Sequence, residues 1–286
     1  MSAAYPSGRS SVFQRAVSWL KQPPAERRLR LTEKLRQLNG LPFTLGKPKF
    51  FDLYLGYLPD SHVRSDAHVE FDTLLDKFRR HNRRNNGGDI ARLWAMILNL
   101  KHLICAGIEG DFAELGVWRG NTAAVLSHFA ARSGREVFLF DTFEGFSDKD
   151  LRGIDAGVRH GFADTSLALV RDTIGADSSV CHFAKGHFPA SIDAHHRSRR
   201  YAAVSLDCDL YEPMKAGLDF FYPLMPRGGL LLLHDYSSSL WPGATQAVDE
   251  FCRHTGELLV LMPDKSGSAF VRKSMPFTKG SAGPGG

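Results

Sequence analysis

The feature that most limits the fold of this chain is a regular alternation of short apolar runs and helical patterns, which begins near Gly110. Short apolar runs bounded by polar residues are typical of buried strands, and strands that alternate with helices favour a mainly parallel sheet covered on both faces. The alternation therefore predicts an α/β fold. The predicted strands are 111–116, 136–141, 180–184, 202–207 and 229–234, and the predicted helices are 121–132, 164–175, 212–225 and 244–254.

The end of the chain departs from this alternation. Glu257–Met262 and Ser268–Lys273 have the pattern of two strands joined by a short polar turn that contains Gly267. Two strands joined by so short a turn form a hairpin, and the strands of a hairpin are antiparallel. We therefore expect the last strand of an otherwise parallel sheet to run antiparallel.

Acidic residues follow two of the predicted strands. One apolar run ends in Asp207 and Asp209, and a second run, of four leucines, ends in His234 and Asp235. Ligands of open α/β sheets bind outside the carboxyl ends of the strands. These residues therefore indicate a metal site or an acid/base pair. The alternative is that the aspartates serve only turns and helix caps, where Asp is common.

The first predicted strand leads into a glycine turn and a helix. An acid, Glu114, stands at the strand end, and Gly116 and Gly120 lie four residues apart, whereas the G-x-G-x-x-G pattern of dinucleotide-binding loops is absent. An acid at this point can hold the ammonium group of an amino acid. Asp141 ends the next strand, where acidic residues bind ribose hydroxyls. S-adenosylmethionine, a nucleoside with an amino-acid tail, suits both acids; the alternative is an ordinary α/β turn with glycine for packing.

The positive charge of the chain is concentrated in an N-terminal arm. Residues 1–50 carry ten Lys and Arg and two acids, whereas the other 236 residues carry 26 basic and 29 acidic residues. The body is therefore not basic, and it has no nucleic-acid-binding motif, so we expect no nucleic-acid partner. Helical patterns at 11–21 and 25–38 form a basic arm that can lie on an anionic membrane surface. The alternative is an arm that packs on the body or on a second subunit of a homo-oligomer.

Cysteine usage and hydropathy favour a cytoplasmic protein, with the basic arm able to place it at the inner membrane surface. The four cysteines show no C-x-x-C pairing, which is typical of free thiols in a reducing compartment. The sequence contains no run of 18 apolar residues and no signal-peptide pattern. The expected organisation is a basic helical arm (1–40), a cover segment (41–88), a main domain (89–273) and a disordered tail (274–286).

Four motifs occur in the order found in a known enzyme family. They are GDFAELGVWRG at 110–120, FDTFEGF at 140–146, LDCDLY at 206–211, and PGA followed by QAVDEF within 242–251. Through these motifs, residues 80–273 resemble the macrocin O-methyltransferase family, which methylates sugar hydroxyls of macrolides and aminocoumarins and whose relatives methylate glycans. The resemblance implies a class I, Rossmann-like methyltransferase fold with S-adenosylmethionine over the first strands.

The resemblance also implies roles for the acids at the strand ends. Asp207 matches the first ligand of a divalent metal, usually magnesium with manganese as the alternative, and Asp209 matches the general base. Asp235 matches one of two paired acids, and His234 stands where the other acid is normally found. The expected metal ligands are thus Asp207, Asp235 and His234, and the expected catalytic residues are Asp209 and His234. The residues expected to contact the cofactor are Glu114, Gly116, Trp118, Gly120, Asn121, Thr122, Asp141, Thr142, Phe143, Gly186 and Phe188.

His234 leaves three interpretations open, because magnesium prefers oxygen ligands whereas imidazole suits manganese, iron or zinc. In the first, His234 does not bind the ion, which Asp207 and Asp235 hold with water. In the second, His234 binds a softer metal. In the third, it replaces the charge of the metal as an imidazolium, or it acts as the base itself.

Two further regions are expected to contribute to the site. The loop at 153–161, Phe162 and the helix 164–175 are expected to close over the cofactor, as in the resembling family; the alternative is a plain surface connection. Gly186 and Phe188 are expected near the adenine. Several histidines lack the spacing of a metal cluster: His160, His182, His187, His195 and His196.

The resulting prediction is an S-adenosylmethionine-dependent O-methyltransferase that acts on a sugar hydroxyl of a glycan or glycosylated natural product, assisted by a divalent metal. One alternative is an O-methyltransferase for phenols or catechols. Another is a methyltransferase-fold protein without catalysis that serves as a binding partner in a polysaccharide pathway. The missing dinucleotide loop and the final hairpin weigh against a nicotinamide-dependent oxidoreductase.

Overall fold

The computed structural model of the protein describes residues 71–87, 89–159 and 161–274. The predicted basic helices, most of the predicted cover segment, His160 and the predicted tail after Ser274 lie outside the described residues. The helices are α1 (Phe71–Arg79), α2 (Arg83–Asn86), α3 (Ile90–Cys105), α4 (Asn121–Ser133), α5 (Leu167–Ile174), α6 (Ala194–Ser198), α7 (Tyr211–Leu224) and α8 (Pro242–Thr255). Short 3-10 helices occur at Gly153–Asp155 and Gly175–Val180. The strands are β1 (Asp111–Leu115), β2 (Val137–Asp141), β3 (Cys181–Lys185), β4 (Tyr201–Leu206), β5 (Leu230–Leu233), β6 (Val260–Leu261) and β7 (Ala269–Arg272).

The described strands form one seven-stranded sheet in the order β3-β2-β1-β4-β5-β7-β6. β1 to β5 are parallel to one another, and β7 is antiparallel to both β5 and β6. The predicted α/β fold, with a mostly parallel sheet and an antiparallel strand at its C-terminal end, is confirmed. The direction of winding changes between β1 and β4, and open α/β sheets bind their ligands in the crevice at such a point.

The register of the sheet aligns the carboxyl ends of its central strands. Leu206 at the end of β4 pairs with Leu115 of β1 on one side and with Leu233 of β5 on the other. The ladder continues one residue further, because the amide of Asp207 donates to the Leu115 carbonyl (2.9 Å) and the amide of His234 donates to the Leu206 carbonyl (3.0 Å). The polar residues that follow these strands therefore lie side by side at one edge of the sheet.

Helices and aromatic side chains build the core around this sheet. α4 contacts α1, α3 and α5, while α7 contacts α8 and β4. The largest fully buried side chains include Phe138, Phe140, Tyr201, Phe221 and Tyr222. Full burial of one large apolar side chain contributes about 1.5–3 kcal/mol, so this core fixes the strands that carry the polar edge. None of the described helices is both long enough and apolar enough to span a membrane.

Several local predictions differ from the structure. The short helix α2 and helix α6 are not among the predicted helices, although Asp193 and His196 form a capping box at the start of α6. The helix predicted at 164–175 begins only at Leu167, because the Ser166 hydroxyl accepts the Leu169 amide as an N-cap. The strand predicted at Glu257–Met262 shortens to β6, which lies at the sheet edge and pairs on one side only, with β7.

Candidate active site

Three side chains form a cluster at the carboxyl ends of β4 and β5. Asp207 follows β4, and His234 and Asp235 follow β5. Nδ1 of His234 lies 2.7 Å from Oδ1 of Asp207 and 2.7 Å from Oδ2 of Asp235. One potential ligand atom from each residue lies within 4.8 Å of the other two, and among the described residues this is the group of acids and histidines that could converge on one ion. The structure thus brings together the three predicted metal ligands.

A guanidinium group lies beside this cluster. Nη1 of Arg92, in α3, is 4.0 Å from Oδ2 of Asp207. Arg92 is 7 % exposed and is held in place because its Nε donates to Asp89 (2.8 Å) and its Nη2 donates to Asn86 (2.8 Å). Asp89 is the N-cap residue of α3, but its side chain makes no cap hydrogen bond and binds Arg92 instead. Arg92 itself is missing from the predicted site; its sequence signal is an arginine within the apolar pattern of a helix.

The charges of the cluster shift the pKa values of its members in opposite directions. Burial alone raises the pKa of Asp207, but the charge and hydrogen bond of His234, together with the charge of Arg92, outweigh burial and lower it. Burial alone lowers the pKa of His234, but the carboxylates of Asp207 and Asp235 raise it well above its usual value. The cluster therefore favours an imidazolium paired with a carboxylate.

Asp209 lies next to the cluster, and its surroundings favour the protonated, neutral form of its carboxyl, in contrast to Asp207. Burial, followed by the charges of Asp235 and Asp207, raises the pKa of the Asp209 carboxyl well above its usual value. Asp209 and Asp235 also have left-handed backbone angles, with φ of 61° and 57°. Such a conformation costs a non-glycine residue about 1–3 kcal/mol and is concentrated at functional sites. The site thus combines a neutral carboxyl and an ionised one within a strained turn.

Glu114 is a buried acid near the end of β1, and it interacts electrostatically with Asp207 and Asp141. It is 1 % exposed, and its Oε2 has no hydrogen-bond partner among the described residues. Burial raises the pKa of Glu114 well above its usual value, and the charges of Asp207 and Asp141 raise it further. A buried carboxyl without a partner is costly unless a bound group completes it. Glu114 is therefore suited to binding the ammonium group of S-adenosylmethionine, which is the role predicted from its position in the sequence.

Asp141 is already engaged by the backbone of the glycine loop. Its two carboxylate oxygens accept the amides of Val117 (2.7 Å), Trp118 (2.8 Å) and Phe143 (2.7 Å). An ionised carboxylate has room for about four hydrogen bonds. Asp141 therefore shapes the loop after β1, and about one position is left for the predicted ribose contact.

The two glycines of this loop are required by packing. Gly116 has φ of 85°, and a methyl group on it would overlap the carbonyl oxygen of Asp207. Gly120 has φ of 79°, and a methyl group there would lie 2.8 Å from Cγ1 of Val170 in α5. Packing alone, which is the alternative to a cofactor-binding loop, therefore accounts for both glycines. The close approach at Gly116 also places the cofactor loop directly beside the acid that follows β4.

The other predicted cofactor residues have varied surroundings. Nδ2 of Asn121 donates to two carbonyls at the end of α1, and the Thr142 hydroxyl donates to the Gly145 carbonyl (3.2 Å). Thr122 and Phe143 are buried, and Trp118 and Gly186 are half-buried. The structure places these residues in or beside the glycine loop and the turn after β2; Gly186 follows β3, and its amide donates to the carbonyl of Asp141 at the end of β2 (2.9 Å).

Phe188 lies among core aromatic residues. Its ring centroid is 5.5–5.8 Å from those of Phe140, Phe220 and Phe221. These contacts account for the position of its ring without a ligand. The expected contact of Phe188 with the adenine stays a prediction.

A divalent cation fits the donor set of the cluster. Asp207 and Asp235 offer carboxylate oxygens, and His234 offers Nδ1, which faces both of them. One nitrogen and two oxygens suit manganese, iron or zinc better than magnesium. A proton on Nδ1 competes with such an ion, because a ligating imidazole nitrogen must be unprotonated. The geometry therefore favours the two interpretations in which His234 takes part over the one in which it does not.

Comparison with known proteins places this site in a family. Residues 88–262 match the family described as Macrocin-O-methyltransferase (TylF). The 8-demethyl-8-(2,3-dimethoxy-alpha-L-rhamnosyl)-tetracenomycin-C 4'-O-methyltransferase of Streptomyces olivaceus is 28% identical over 147 residues, which cover 47% of this chain and 56% of that relative. The demethyldecarbamoylnovobiocin O-methyltransferase of Streptomyces niveus is 26% identical over 230 residues, which cover 71% of this chain and 84% of that relative.

A solved structure supports the same assignment at the level of the fold. The O-methyltransferase NovP has a TM-score of 0.59 and 21% sequence identity, covering 72% of this chain and 98% of that one. The predicted class I methyltransferase fold and the predicted class of enzyme, an O-methyltransferase, are confirmed. Because the family match spans more than half of the sequence, the chain belongs to the macrocin O-methyltransferase family.

Proposed function

We propose that the protein transfers a methyl group from S-adenosylmethionine to a sugar hydroxyl of a glycan or glycosylated natural product. The observation that carries this proposal is the grouping of Asp207, His234, Asp235 and Asp209 at the carboxyl ends of β4 and β5, beside the loop after β1. The names of two relatives also support it, since one refers to a rhamnosyl-tetracenomycin and the other to a novobiocin derivative.

The cofactor half of the reaction depends on Glu114 and the glycine loop. S-adenosylmethionine, when bound, supplies the methyl group on an electrophilic sulfonium. Glu114, with its unpartnered Oε2, would hold the ammonium end of the cofactor. Asp141 keeps the loop in shape through the amides of Val117, Trp118 and Phe143. A reacting hydroxyl must then lie about 3 Å from the methyl carbon, in line with the bond that breaks.

Asp209 would accept the proton of the acceptor hydroxyl. A sugar hydroxyl is a weak acid, so methyl transfer gains when the proton leaves as the new bond forms. A base is most effective when its pKa lies near the working pH. The buried position of Asp209 raises its pKa from the low value of an exposed carboxylate. The positive charge of a bound sulfonium would favour the ionised form of this carboxyl, which is the form that acts as a base.

Asp207, Asp235 and His234 would hold a divalent cation. A bound cation would stabilise the negative charge that develops on the acceptor oxygen. His234 can release its Nδ1 proton when it ligates a metal, so we expect metal affinity to fall as the pH decreases. Arg92 adds a fixed positive charge 4.0 Å from Asp207, which reduces the affinity of the cluster for a cation. The donor set is therefore proposed to prefer manganese over magnesium.

Calorimetric titration of S-adenosylmethionine, in EDTA and then with magnesium or manganese, tests this function. We expect binding in every condition and methyl transfer to members of a sugar panel, with manganese giving the larger rate. Binding without any effect of metal on transfer would assign the proton chemistry to Asp209 or His234 alone. Absence of binding, or transfer to phenols and not to sugars, would contradict the proposal.

The variant His234→Asp tests the metal preference separately. This change restores two adjacent acids at the end of β5, so the donor set becomes all oxygen. We expect magnesium to bind more tightly to the variant than to the wild type, as measured by titration calorimetry, because magnesium prefers oxygen ligands. The matched control is His254→Asp in α8, which changes a histidine away from the cluster. Equal magnesium affinity in wild type and His234→Asp would contradict a ligand role for residue 234.

The N-terminal arm carries a separate proposal about location. We infer from its charge that the cytoplasmic protein contacts the inner membrane surface through residues 1–40. Flotation with anionic vesicles would compare the full chain with a chain that lacks these residues. The full chain should float and the shortened chain should not. Equal recovery of both in the soluble fraction would contradict the proposal.

A further inference from the structure

The loop between β2 and α5 is tied together at its ends. In this segment, called the 146–162 loop below, the amide of Phe146 donates to the carbonyl of Gly161 (3.1 Å). Gly145, with φ of 77°, fits against the backbone of Gly161 and Phe162, where a methyl group would overlap main-chain atoms. The two ends of the loop are therefore fixed against each other.

One residue in the middle of this loop is buried although its neighbours are exposed. Residues 152–154 and 156–157 are exposed, whereas Asp155 is 1 % exposed. Its Oδ2 accepts the amide of Tyr211, the first residue of α7, at 2.7 Å. Its Oδ1 faces Gly243 in the first turn of α8, where a methyl group would overlap the carboxylate. The side chain thus reaches from the loop to the beginnings of two helices.

Both helices lack a capping side chain of their own. The N-cap residues are Leu210 for α7 and Trp241 for α8, and neither makes a side-chain cap hydrogen bond. A helix N-terminus presents unpaired amides and the positive end of the helix dipole, and a carboxylate satisfies both. Asp155 supplies this carboxylate from a distant part of the chain: its Oδ2 binds the first amide of α7, and its Oδ1 lies at the first turn of α8 without a hydrogen-bond partner among the described residues. Because α7 begins two residues after Asp209, the loop is anchored to the segment that carries this acid.

Four half-buried aromatic rings meet at the ends of the loop. The ring centroid of Phe162 lies 5.1 Å from that of Phe146 and 5.2 Å from that of Trp118, which follows β1. Trp241, at the start of α8, lies 6.0 Å from both phenylalanines. We call these four side chains the aromatic wall. Aromatic linings are typical of small-molecule sites, and the C–H face of a sugar ring packs well on such a surface.

We propose that Asp155 is a positioning residue for acceptor binding. It anchors the 146–162 loop to α7 and α8, and the anchored loop holds Phe146 and Phe162 in the aromatic wall, against which the sugar ring of the acceptor packs. This role rests on the proposed function. Asp155 does not touch the reacting atoms; it acts through the loop.

The kinetics of four variants test this role. In Asp155→Ala and in Gly243→Ala, whose methyl group would overlap the carboxylate and the Tyr211 amide nitrogen, we expect the acceptor KM to rise about tenfold. Asp155→Asn should show a smaller rise, because it keeps an oxygen for the Tyr211 amide. Phe162→Ala should raise the acceptor KM without disturbing the caps. In all four, the Kd of S-adenosylhomocysteine should stay within about twofold and kcat should change less than KM.

The matched control is Asp219→Asn, which removes an exposed carboxylate from α7. It should leave both constants unchanged. An unchanged acceptor KM in Asp155→Ala and Gly243→Ala would overturn the positioning role, and so would a parallel loss of S-adenosylhomocysteine affinity, which would assign the loop to the cofactor.

Hydrogen exchange separates this inference from the proposed function, because it needs no acceptor. Amides of the 146–162 loop should exchange faster in Asp155→Ala than in wild type, and unchanged exchange would overturn the anchoring. If the wild-type protein methylates no sugar, the proposed function and the acceptor role fail together, whereas faster exchange would still show the anchoring. If the wild type is active and the Asp155→Ala and Gly243→Ala variants have the same acceptor KM as the wild type, only the positioning role fails.

Discussion

At the scale of single residues, the site is organised by differences in protonation between neighbouring groups. Asp207 has a lowered pKa and Asp209 a raised one, although only one residue separates them. The difference arises because His234 and Arg92 face Asp207, whereas Asp209 is buried and faces two carboxylates. A site in which one acid binds positive charge and the other exchanges a proton needs two acids whose pKa values are shifted in opposite directions.

The variant Asp209→Asn tests the assignment of the general base. We expect turnover to fall by at least about a hundredfold, the range of losses for general bases. Affinity for S-adenosylmethionine should be nearly unchanged, because the amide is the same size. Single-turnover kinetics and calorimetry measure the two quantities. The control is Asp219→Asn, an exposed site on α7, and turnover in Asp209→Asn equal to that control would remove Asp209 from this role.

The pair of His234 and Asp207 predicts how stability depends on pH. The raised pKa of His234 gives a stabilisation that is complete below about pH 6.5 and is lost as the pH rises through the raised value. The lowered pKa of Asp207 gives a stabilisation that is present above about pH 4 and is lost as the pH falls through the lowered value.

The difference in unfolding free energy between wild type and His234→Gln should therefore be largest between about pH 4 and 6.5. Urea unfolding in EDTA at several pH values measures it. A difference that does not change with pH would contradict the ion pair.

The sequence predicts part of this residue-scale picture. Asp207, His234 and Asp235 can be grouped in advance, because parallel strands place their carboxyl ends at one edge. Arg92 cannot, because it lies on a helix before the first strand and reaches Asp207 only through the tertiary fold. Asp155 is missed for the same reason: its partner Tyr211 lies 56 residues away.

At the scale of elements, the backbones at the ends of β1 and β4 pack tightly against each other. Gly116 follows β1 and lies against the carbonyl of Asp207, which follows β4. The contact joins the loop that carries the cofactor residues to the strand that carries the first acid. Because it is made by backbone atoms, no change of side-chain rotamer can relieve a substitution there.

The variant Gly116→Ala measures how rigid this contact is. We expect a loss of about 2–4 kcal/mol in unfolding free energy, from the left-handed φ and from the overlap with Asp207. Gly134→Ala is the matched control, because Gly134 has φ of 67° and nothing within 4 Å of an added methyl group. That variant should lose only about 1–2 kcal/mol, the cost of the backbone conformation. Chemical denaturation measures both, and equal losses would contradict a tight contact.

Most elements follow from local patterns, and the exceptions have local causes. The predicted bounds of strands β1 to β5 agree with the structure to within one residue at each end. The strand before the final turn shortens to β6, because a sheet edge gives few hydrogen bonds and leaves Leu258, Val260 and Leu261 exposed. An edge position depends on which strands pair, and hydropathy alone does not reveal it.

At the scale of the whole molecule, ligand binding should stabilise the fold because the crevice lies between strands that form the centre of the sheet. S-adenosylhomocysteine at about 100 times its Kd should add roughly 2.7 kcal/mol to the unfolding free energy. NAD should add nothing, because the G-x-G-x-x-G loop is absent. Thermal unfolding with each ligand measures the effect. Stabilisation by NAD and not by S-adenosylhomocysteine would contradict the methyltransferase assignment for this pocket.

The strand order of the sheet is a feature that the sequence patterns do not predict. Alternation of strands and helices predicts a parallel sheet, and the final hairpin predicts its antiparallel strand. The strand order depends on pairings between distant segments, such as β1 with β4, and no local pattern encodes it. Burial of Asp155 between two helices likewise exists only once α7 and α8 have packed together.

The hydrogen bond between Phe146 and Gly161 brings the two ends of the 146–162 loop together on one side of the protein. The loop can therefore be exchanged as a cassette, because its length and sequence are free to diverge as long as one carboxylate still reaches the beginnings of α7 and α8. On the role proposed for this loop, donor chemistry and acceptor choice would be separately inheritable parts of one scaffold. Transplanting the loop between relatives should then change the range of acceptors.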